Sequence, residues 1–310
     1  MPSRLFWVVC VLVLIPFSHG QTTPVPRTSP RHKLTVRVRF VNAGLLWAGQ
    51  QEQIAKRLQE EGDDDHDDGE LRDQSDWADE AAERVRAAYQ DNGYFKVQVA
   101  GELMPATKSR TDRRVSIVVR VLDAGQQYRL RDLRWKSTSA FSEQQLLNLM
   151  PIHPGEIFSR SKIAKGLEEA RKLYQSHGYM NFTSIPNAVI DEAARSIGLE
   201  IDVDEGSVFH WGDLHIEGMT EADKRELLRG WDGLRGQVYA SNAHQALDKF
   251  FATYFRPLRS GVTPSDYAKW KIDEAARTVD VYLSLMANPS LLKYIPKSWR
   301  SSPTSDKSNP

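Results

Sequence analysis

The sequence predicts an α+β protein made of three tandem β-α-α-β-β modules, each a three-stranded mixed sheet covered by two helices. The main observation is an internal repeat with a period of roughly 80–85 residues. Each copy contains a helix with apolar residues at i, i+4, i+7 and i+11, and ends in a strand with alternating apolar residues. The helical positions are Ala78, Ala82, Val85 and Tyr89, then Ile163, Leu167, Ala170 and Tyr174, and finally Ala243, Leu247, Phe250 and Tyr254.

The amino-terminal residues have the composition of a secretory signal. Arg4 supplies a positive charge, Leu5–Phe17 is an apolar run of 13 residues, and small residues precede Gln21. The run is shorter than the about 20 residues that span a bilayer. We therefore expect residues 1–20 to be a cleaved signal peptide, and residues 21–32, rich in Pro, Ser and Thr, to be a flexible lead-in.

The first module is assigned to residues 33–124. The predicted elements are a strand over Leu34–Phe40, a helix over Gln50–Leu58, an acidic loop over Glu60–Glu70 and a helix over Trp77–Asn92. Gly93 ends the second helix, because glycine accepts the left-handed backbone of a helix terminus. Two strands then close the module.

The second and third modules, residues 125–206 and 207–286, repeat this order. The turn Gly155-Glu156-Ile157-Phe158 matches Gly236-Gln237-Val238-Tyr239, and each precedes the long helix of its module. Ser142 followed by Gln145 predicts a capping box at the start of a short helix. The remaining residues, 287–310, are rich in Pro, Ser and Lys, and we expect a disordered tail.

Each module is expected to leave its second strand at an edge of the sheet, because the final, most apolar strand belongs in the centre. The predicted second strands are Tyr94–Val99, Tyr179–Ser184 and Tyr267–Ile272. An edge strand has unpaired backbone N–H and C=O groups, so an extended peptide can add to it as a further strand. The partner-binding candidates on these strands are Tyr94, Phe95, Lys96, Val97, Tyr179, Met180, Asn181, Phe182, Thr183, Tyr267, Lys269 and Trp270.

The chain resembles the POTRA domain family over about residues 33–286. The residues that carry the resemblance are the Gly155–Phe158 turn, Ala170, Tyr174 and Gly178-Tyr179 at a helix end, and Asp202-Val203-Asp204-Glu205-Gly206. The first module departs from the family in lacking the Pro-Gly-Glu turn, and the third has Arg256-Pro257 where the Gly-Tyr pair is expected. The family consists of periplasmic modules of outer-membrane barrel assembly and two-partner secretion proteins.

Members of the assembly type continue into a membrane β-barrel. A transmembrane strand alone takes about 9–11 residues and a barrel needs at least eight strands, so residues 287–310 are too few for a barrel. We therefore expect no barrel within this chain.

The residue pattern predicts neither an enzyme nor a metal or cofactor site. The acidic run Asp63–Asp68 fails the EF-hand spacing in two registers. His210 and His215 point to opposite faces of a strand, and no Gly-x-Ser-x-Gly or phosphate-binding loop occurs. The sole cysteine, Cys10, lies in the signal segment, so no disulfide is expected. A formal net charge of zero gives no indication of nucleic-acid binding.

The signal segment predicts export, and the resemblance implies a non-enzymatic scaffold of the periplasm that associates with the outer membrane. The resemblance implies that it binds unfolded or β-rich outer-membrane polypeptides, or docks a separate outer-membrane barrel protein, through strand addition at sheet edges. The tail segment Leu291–Pro296 is a candidate for peripheral membrane contact.

Three alternatives stay open. Retention of Leu5–Phe17 as an anchor would give an inner-membrane protein of the cell-division type, and the mass of the mature amino terminus would decide this. The chain would otherwise be a remnant, without a barrel, of a longer assembly protein. An exported enzyme with an unrecognised site is the most distant alternative, which a search for bound metal or cofactor would test.

Overall fold

The computed structural model describes residues 35–64, 74–104, 114–254 and 268–284. Within these ranges the chain alternates strands and helices in the order that the repeat predicts. The elements are β1 Thr35–Val41, α1 Ala48–Asp64, α2 Gln74–Asp91, β2 Gln98–Leu103, β3 Arg114–Asp123, β4 Arg129–Lys136, α3 Glu143–Leu147, α4 Arg160–Ser176, β5 Thr183–Asp191, β6 Ser196–Asp204, β7 His210–Glu217, α5 Glu221–Trp231, α6 Ala243–Tyr254, β8 Lys269–Asp273 and β9 Thr278–Ser284.

The strands form three separate three-stranded sheets with one shared topology. Their strand orders are β1-β3-β2, β4-β6-β5 and β7-β9-β8. In each sheet the first strand runs parallel to the last, and in the first and third sheets the second strand is antiparallel to it. The predicted α+β fold with a central final strand and a second strand at the edge is therefore confirmed.

Each sheet buries one apolar face beneath its helices. The helical repeat positions are buried in the first two modules, including Tyr89 and Tyr174 at about complete burial. In α6 the pattern differs, because Phe251 rather than Phe250 enters the core and Phe250 packs beside Trp231 at 5.1 Å between ring centroids. Fully burying a large apolar side chain such as Leu247 or Phe251 contributes about 1.5–3 kcal/mol.

The described chain also divides into two compact units, and the division runs through the second module. The first unit contains the described residues up to Lys136 together with Phe141–Leu167 and Ile185–Asp202, and the second contains Ser137–Ala140, Glu168–Ser184 and the described residues from Val203 onward. The module boundaries given above therefore stay predictions.

The predicted starts of the second strands are wrong. Tyr94–Val97 and Tyr179–Phe182 form turns, with the Val97 N–H donating to the Tyr94 carbonyl at 3.2 Å. The reason is that Gly93 and Gly178 have φ of 83° and 90°, which redirects the chain before the strand begins. Among the partner-binding candidates, β5 and β8 retain Thr183, Lys269 and Trp270.

Several predictions lie outside the described residues. They concern the signal segment and lead-in, most of the acidic loop, Tyr267, Arg256-Pro257 and the tail with Leu291–Pro296.

Candidate functional site

Among the described residues, β2 lies at the edge of the first sheet with no further strand beyond it. The Met104 N–H donates inward to the Ser116 carbonyl at 2.8 Å, which fixes the alternation of backbone groups along the strand. Val99, Gly101 and Leu103 therefore direct their N–H and C=O groups away from β3. Arg86 covers one of these groups, because its Nη2 donates to the Val99 carbonyl at 3.3 Å. Gly101 and Leu103 continue the edge beyond that point.

Helix α2 borders this edge closely because residue 101 is glycine. A Cβ atom at Gly101 would lie 1.9 Å from the Ala78 carbonyl oxygen of α2, so any side chain there would displace the helix. A groove of about 540 Å³ runs between helix and strand. Its charged lining residues are Asp76, Asp79, Glu80, Glu83 and Arg86.

Among the carboxylates that line the groove, Glu83 has the most contacts with arginine side chains. Partial burial raises its pKa, but hydrogen bonds from Arg160 and Arg86 outweigh this and hold the pKa below its ordinary value. The Arg160 Nη1–Glu83 Oε1 distance is 2.6 Å. Glu80 is paired with Arg84 at 2.9 Å. Asp76 and Asp79 complete a groove wall with more negative than positive charge.

The free edge of β5 is interrupted by a proline. Pro186 lies in β5 eight residues after Gly178, as Gly101 lies eight residues after Gly93, so the two residues correspond in the sequence repeat. Proline has no N–H to offer, and within a sheet it is confined to positions facing away from the neighbouring strand. Pro186 therefore blocks part of the β5 edge as a template for strand addition.

The β8 edge is short and carries positive charge. The strand has five residues, and Lys269 and Lys271 are both exposed on it. Edge lysines oppose the approach of a further strand, because pairing would desolvate their ammonium groups. Trp270 is half-buried and packs against Trp211, with ring centroids 5.7 Å apart. It is thus part of the third core rather than a free contact residue.

The candidates at residues 94–97 lie at a junction between the first and second modules. Gly93 accepts a backbone hydrogen bond from the Tyr128 N–H at 2.8 Å. Phe95 packs edge-on against Phe158 at 5.5 Å, and Lys96 forms an ion pair with Glu192. These residues are therefore engaged within the chain, and we do not retain them as partner contacts.

A second junction repeats the first. Gly178 accepts from the Phe209 N–H at 2.9 Å, as Gly93 accepts from Tyr128. Phe209 in turn accepts from the Tyr239 N–H at 2.8 Å. Asn181 Nδ2 lies 3.1 Å from a Glu274 carboxylate oxygen. The sequence analysis did not predict that the Gly-Tyr pairs form hydrogen bonds with the next module. Their recurrence along the chain was the signal from which this role could have been predicted.

Glu205 joins three parts of the second module. Its Oε1 atom accepts from the Ser139 N–H at 2.7 Å, the Ala140 N–H at 2.9 Å and the Tyr174 hydroxyl at 2.8 Å, and its Oε2 atom accepts from the Ser139 hydroxyl. Desolvation raises the Glu205 pKa, but the hydrogen bonds from these donors lower it by a larger amount, so the pKa is about 2.

Acid is expected to weaken the fold through Glu205. The pKa of Glu205 falls from 4.5 to about 2 on folding. Its contribution to the free energy of unfolding is therefore complete above pH 4.5 and is lost as the pH falls towards 2. Because Glu205 is partly exposed, we expect about 1–2 kcal/mol from this group. Urea unfolding of the wild type and of Glu205→Gln should differ by this amount at pH 7 and converge near pH 2. An equal difference at both pH values would contradict the assignment.

The described residues contain no group of three or more His, Cys, Asp or Glu side chains arranged to hold a metal ion. His215 stacks on Tyr282, with ring centroids 4.2 Å apart, and its Nε2 lies 3.8 Å from Asp280 Oδ2. In the same described ranges, no helix combines the length and apolarity needed to cross a bilayer.

Comparison with known proteins identifies the second module directly. The family model described as "POTRA: Surface antigen variable number repeat" matches residues 128–206. Residues 128–206 are similar to POTRA domains. The matched range runs from Tyr128 in the first junction to Gly206 beside Glu205, so it contains the Glu205 hydrogen bonds and the whole second sheet.

Curated relatives and solved structures with POTRA domains are also similar. The chain is 25% identical over 159 residues to the outer membrane protein assembly factor BamA of Neisseria meningitidis, covering 48% of this chain and 19% of the relative. The BamA of Buchnera aphidicola is 23% identical over 158 residues, covering 51% and 25%. The chain thus spans at most a quarter of these relatives. A crystal structure of Haemophilus influenzae BamA POTRA3-5 is 20% identical, with a TM-score of 0.49, covering 84% of this chain and 98% of that one.

Proposed function

We propose that this protein is a non-enzymatic scaffold of the periplasm that binds unfolded outer-membrane polypeptides by strand addition, chiefly at the β2 edge. The observation that carries the proposal is the outward direction of the Gly101 and Leu103 backbone groups at the end of a three-stranded sheet. Two to four main-chain hydrogen bonds to such an edge bind a peptide with little sequence preference. That suits clients whose sequences vary.

The β2 groove gives this edge a preference for basic segments. Its wall carries four carboxylates and one arginine, and Arg86 already pairs with Glu83. A client strand with Lys or Arg side chains on the α2 side would place positive charge near Asp76 and Asp79. Binding should therefore weaken as salt concentration rises, because these side chains are solvent-accessible.

The similarity to outer membrane protein assembly factors supports the assembly role. Docking onto a separate outer-membrane partner is the second candidate. The open β2 edge favours client binding over docking through a fixed side-chain surface.

Substitution at Leu103 tests the proposal. Leu103→Pro replaces the outward N–H with a ring carbon, whereas Leu103→Ala keeps the N–H and only shortens the side chain, so the two variants differ chiefly in the edge donor. A hydrogen bond from this donor contributes about 0.5–1.5 kcal/mol, so Leu103→Pro should bind an extended basic peptide about three- to tenfold more weakly than Leu103→Ala. Calorimetric titration measures the two affinities, and amide shifts at residues 99–103 locate the site.

Equal affinities for the two variants, with wild-type shifts absent from residues 99–103, would exclude strand addition at β2. Pro186→Ala provides a converse measurement. This variant introduces an N–H at the corresponding position of β5, so addition of the peptide should produce amide shifts in β5 that the wild type does not show.

A further inference from the structure

Helix α2 of the first module ends in a negatively charged residue. Asp91 is the last residue of this helix, and the last turn contains no basic side chain. A carboxylate at this end is unfavourable, because the carbonyl end of a helix carries a partial negative charge. Asp91 therefore does not stabilise the helix in which it lies.

Helix α4 of the second module has the opposite arrangement at its start. Its first turn contains no acidic side chain, and its first residue, Arg160, places a cation at the end that carries a partial positive charge. The preceding residue, Ser159, satisfies one free amide, because its hydroxyl oxygen accepts from the Lys162 N–H at 3.3 Å. The first turn of α4 nevertheless has no anion of its own.

Residues of the first module supply the negative charge at this end of α4. The Asp91 Oδ1 atom accepts from the Ser161 N–H at 2.6 Å and from the Ser159 hydroxyl at 3.4 Å. Ser159 is buried at this contact. The Arg160 guanidinium pairs with Glu83 of α2, with 2.6 Å between Nη1 and Oε1. Two helix ends with unfavourable charges thus compensate each other across the first junction.

The second junction does not repeat these two capping residues. Ser176 occupies the place of Asp91, two residues before the junction glycine, and its hydroxyl donates to the Leu173 carbonyl of its own helix at 2.7 Å. Ala240 occupies the place of Ser159 and has no hydroxyl. The cap by a side chain of the preceding module therefore distinguishes the first junction from the second.

We propose that Asp91 and Glu83 of the first module complete the amino-terminal end of α4, so that this end of the second module depends for its stability on the folded first module. Opening of the first module removes the acceptor of the Ser161 N–H and the partner of Arg160, which frees the first turn of α4. This conformational coupling goes beyond the proposed function, because no client takes part in it and strand addition at β2 is not required for it.

Asp91→Ala in the full chain tests the cap by amide hydrogen exchange. The amides to follow are those of Lys162 and Ile163, because both donate to Ser159 atoms that the variant retains. Losing a helix cap shifts an opening equilibrium by about twofold to thirtyfold, so exchange at both amides should accelerate within that range. Ser176→Ala is the matched control at the second junction and should leave both rates unchanged. Wild-type rates at both amides in Asp91→Ala contradict the proposal.

A cavity in the first core tests whether α4 depends on the whole first module. Leu58 is fully buried in that core, so Leu58→Ala should accelerate exchange at Val119 of β3 and at Ile163 of α4 together, by at least about tenfold. Leu247→Ala, in the third core, is the control and should accelerate exchange at Val281 while Ile163 keeps its wild-type rate. Acceleration at Val119 without acceleration at Ile163 overturns the proposal. Equal acceleration at Ile163 by both substitutions also overturns it, because the chain then opens as a whole.

The double variant tests whether Asp91 acts through the folding of the first module. In Leu58→Ala the first module opens more often, so adding Asp91→Ala should accelerate exchange at Ile163 by a smaller factor than it does in the wild type. Ile54→Val makes a smaller cavity in the same core and gives the same comparison if Leu58→Ala leaves no protected amides. The same factor in the wild-type and destabilised backgrounds would show that the two contributions are independent, and the proposal would be wrong.

Discussion

Trp231→Ala is expected to lower the free energy of unfolding by about 3–5 kcal/mol, as large-to-small substitutions in cores do. Trp231 is 2% exposed, and its Nε1–H donates to the Gly212 carbonyl at 2.9 Å. Its ring meets Trp211 edge-on at 5.5 Å and Phe250 at 5.1 Å. The substitution therefore leaves a cavity and a buried carbonyl without its donor.

The effect should be greatest in the third sheet. Hydrogen exchange at Val281 and Leu283 of β9 should accelerate more than at Ile117 and Val119 of β3. Trp231→Phe is the matched control, because it retains a ring while removing the N–H, and it should cost about 1–3 kcal/mol for the unpaired Gly212 carbonyl and the lost volume. Equal acceleration in both sheets would contradict a local role for Trp231.

Tyr174→Ala is expected to destabilise the protein by about 3–5 kcal/mol. Tyr174 is fully buried, stacks on Phe182 with ring centroids 4.1 Å apart, and meets Tyr179 edge-on at 5.5 Å. Its hydroxyl also donates to Glu205. Burial, followed by the negative charge of Glu205, raises the pKa of Tyr174 well above its ordinary value, so the hydroxyl remains a donor through the neutral range.

Replacing Tyr174 and Tyr89 by phenylalanine separates the contribution of ring packing to stability from that of the hydroxyl hydrogen bonds. Tyr174→Phe should cost about 1.5–3 kcal/mol, because the lost bond is to a charged acceptor. Tyr89 has the equivalent place in the first module, but its hydroxyl donates to the Asn42 carbonyl at 3.4 Å. Tyr89→Phe should therefore cost less. Urea unfolding curves measure both, and an equal loss for the two variants would show that Glu205 adds nothing to the Tyr174 bond.

The sequence was sufficient to predict the fold, because the fold rests on periodicity. The apolar spacing from Ile163 to Tyr174 and the alternation from Ile197 to Val203 each specify one buried face. Three such sets at a constant interval indicate a repeated topology. The same logic misplaced the start of β2, since Phe95, Val97 and Val99 continue the alternation through a turn that is determined by Gly93 and by contacts with Phe158.

The candidate docking edges were predictable only in outline. That a second strand lies at an edge follows from which strand is the most apolar. Whether that edge is open depends on contacts between residues far apart in the sequence, such as Arg86 with the Val99 carbonyl. Pro186 is the exception, because a proline inside a predicted strand already indicates a blocked position.

The two junctions use hydrogen bonds between main-chain atoms, from Tyr128 to Gly93 and from Phe209 to Gly178. Such bonds do not depend on the identity of the side chains that accompany them. Among the residues that form these hydrogen bonds, a particular residue type is required only at the two glycines, whose positive φ other residues rarely adopt. Mutational drift can therefore alter most surrounding positions without uncoupling neighbouring modules, which accounts physically for tandem arrays that persist while their copies diverge.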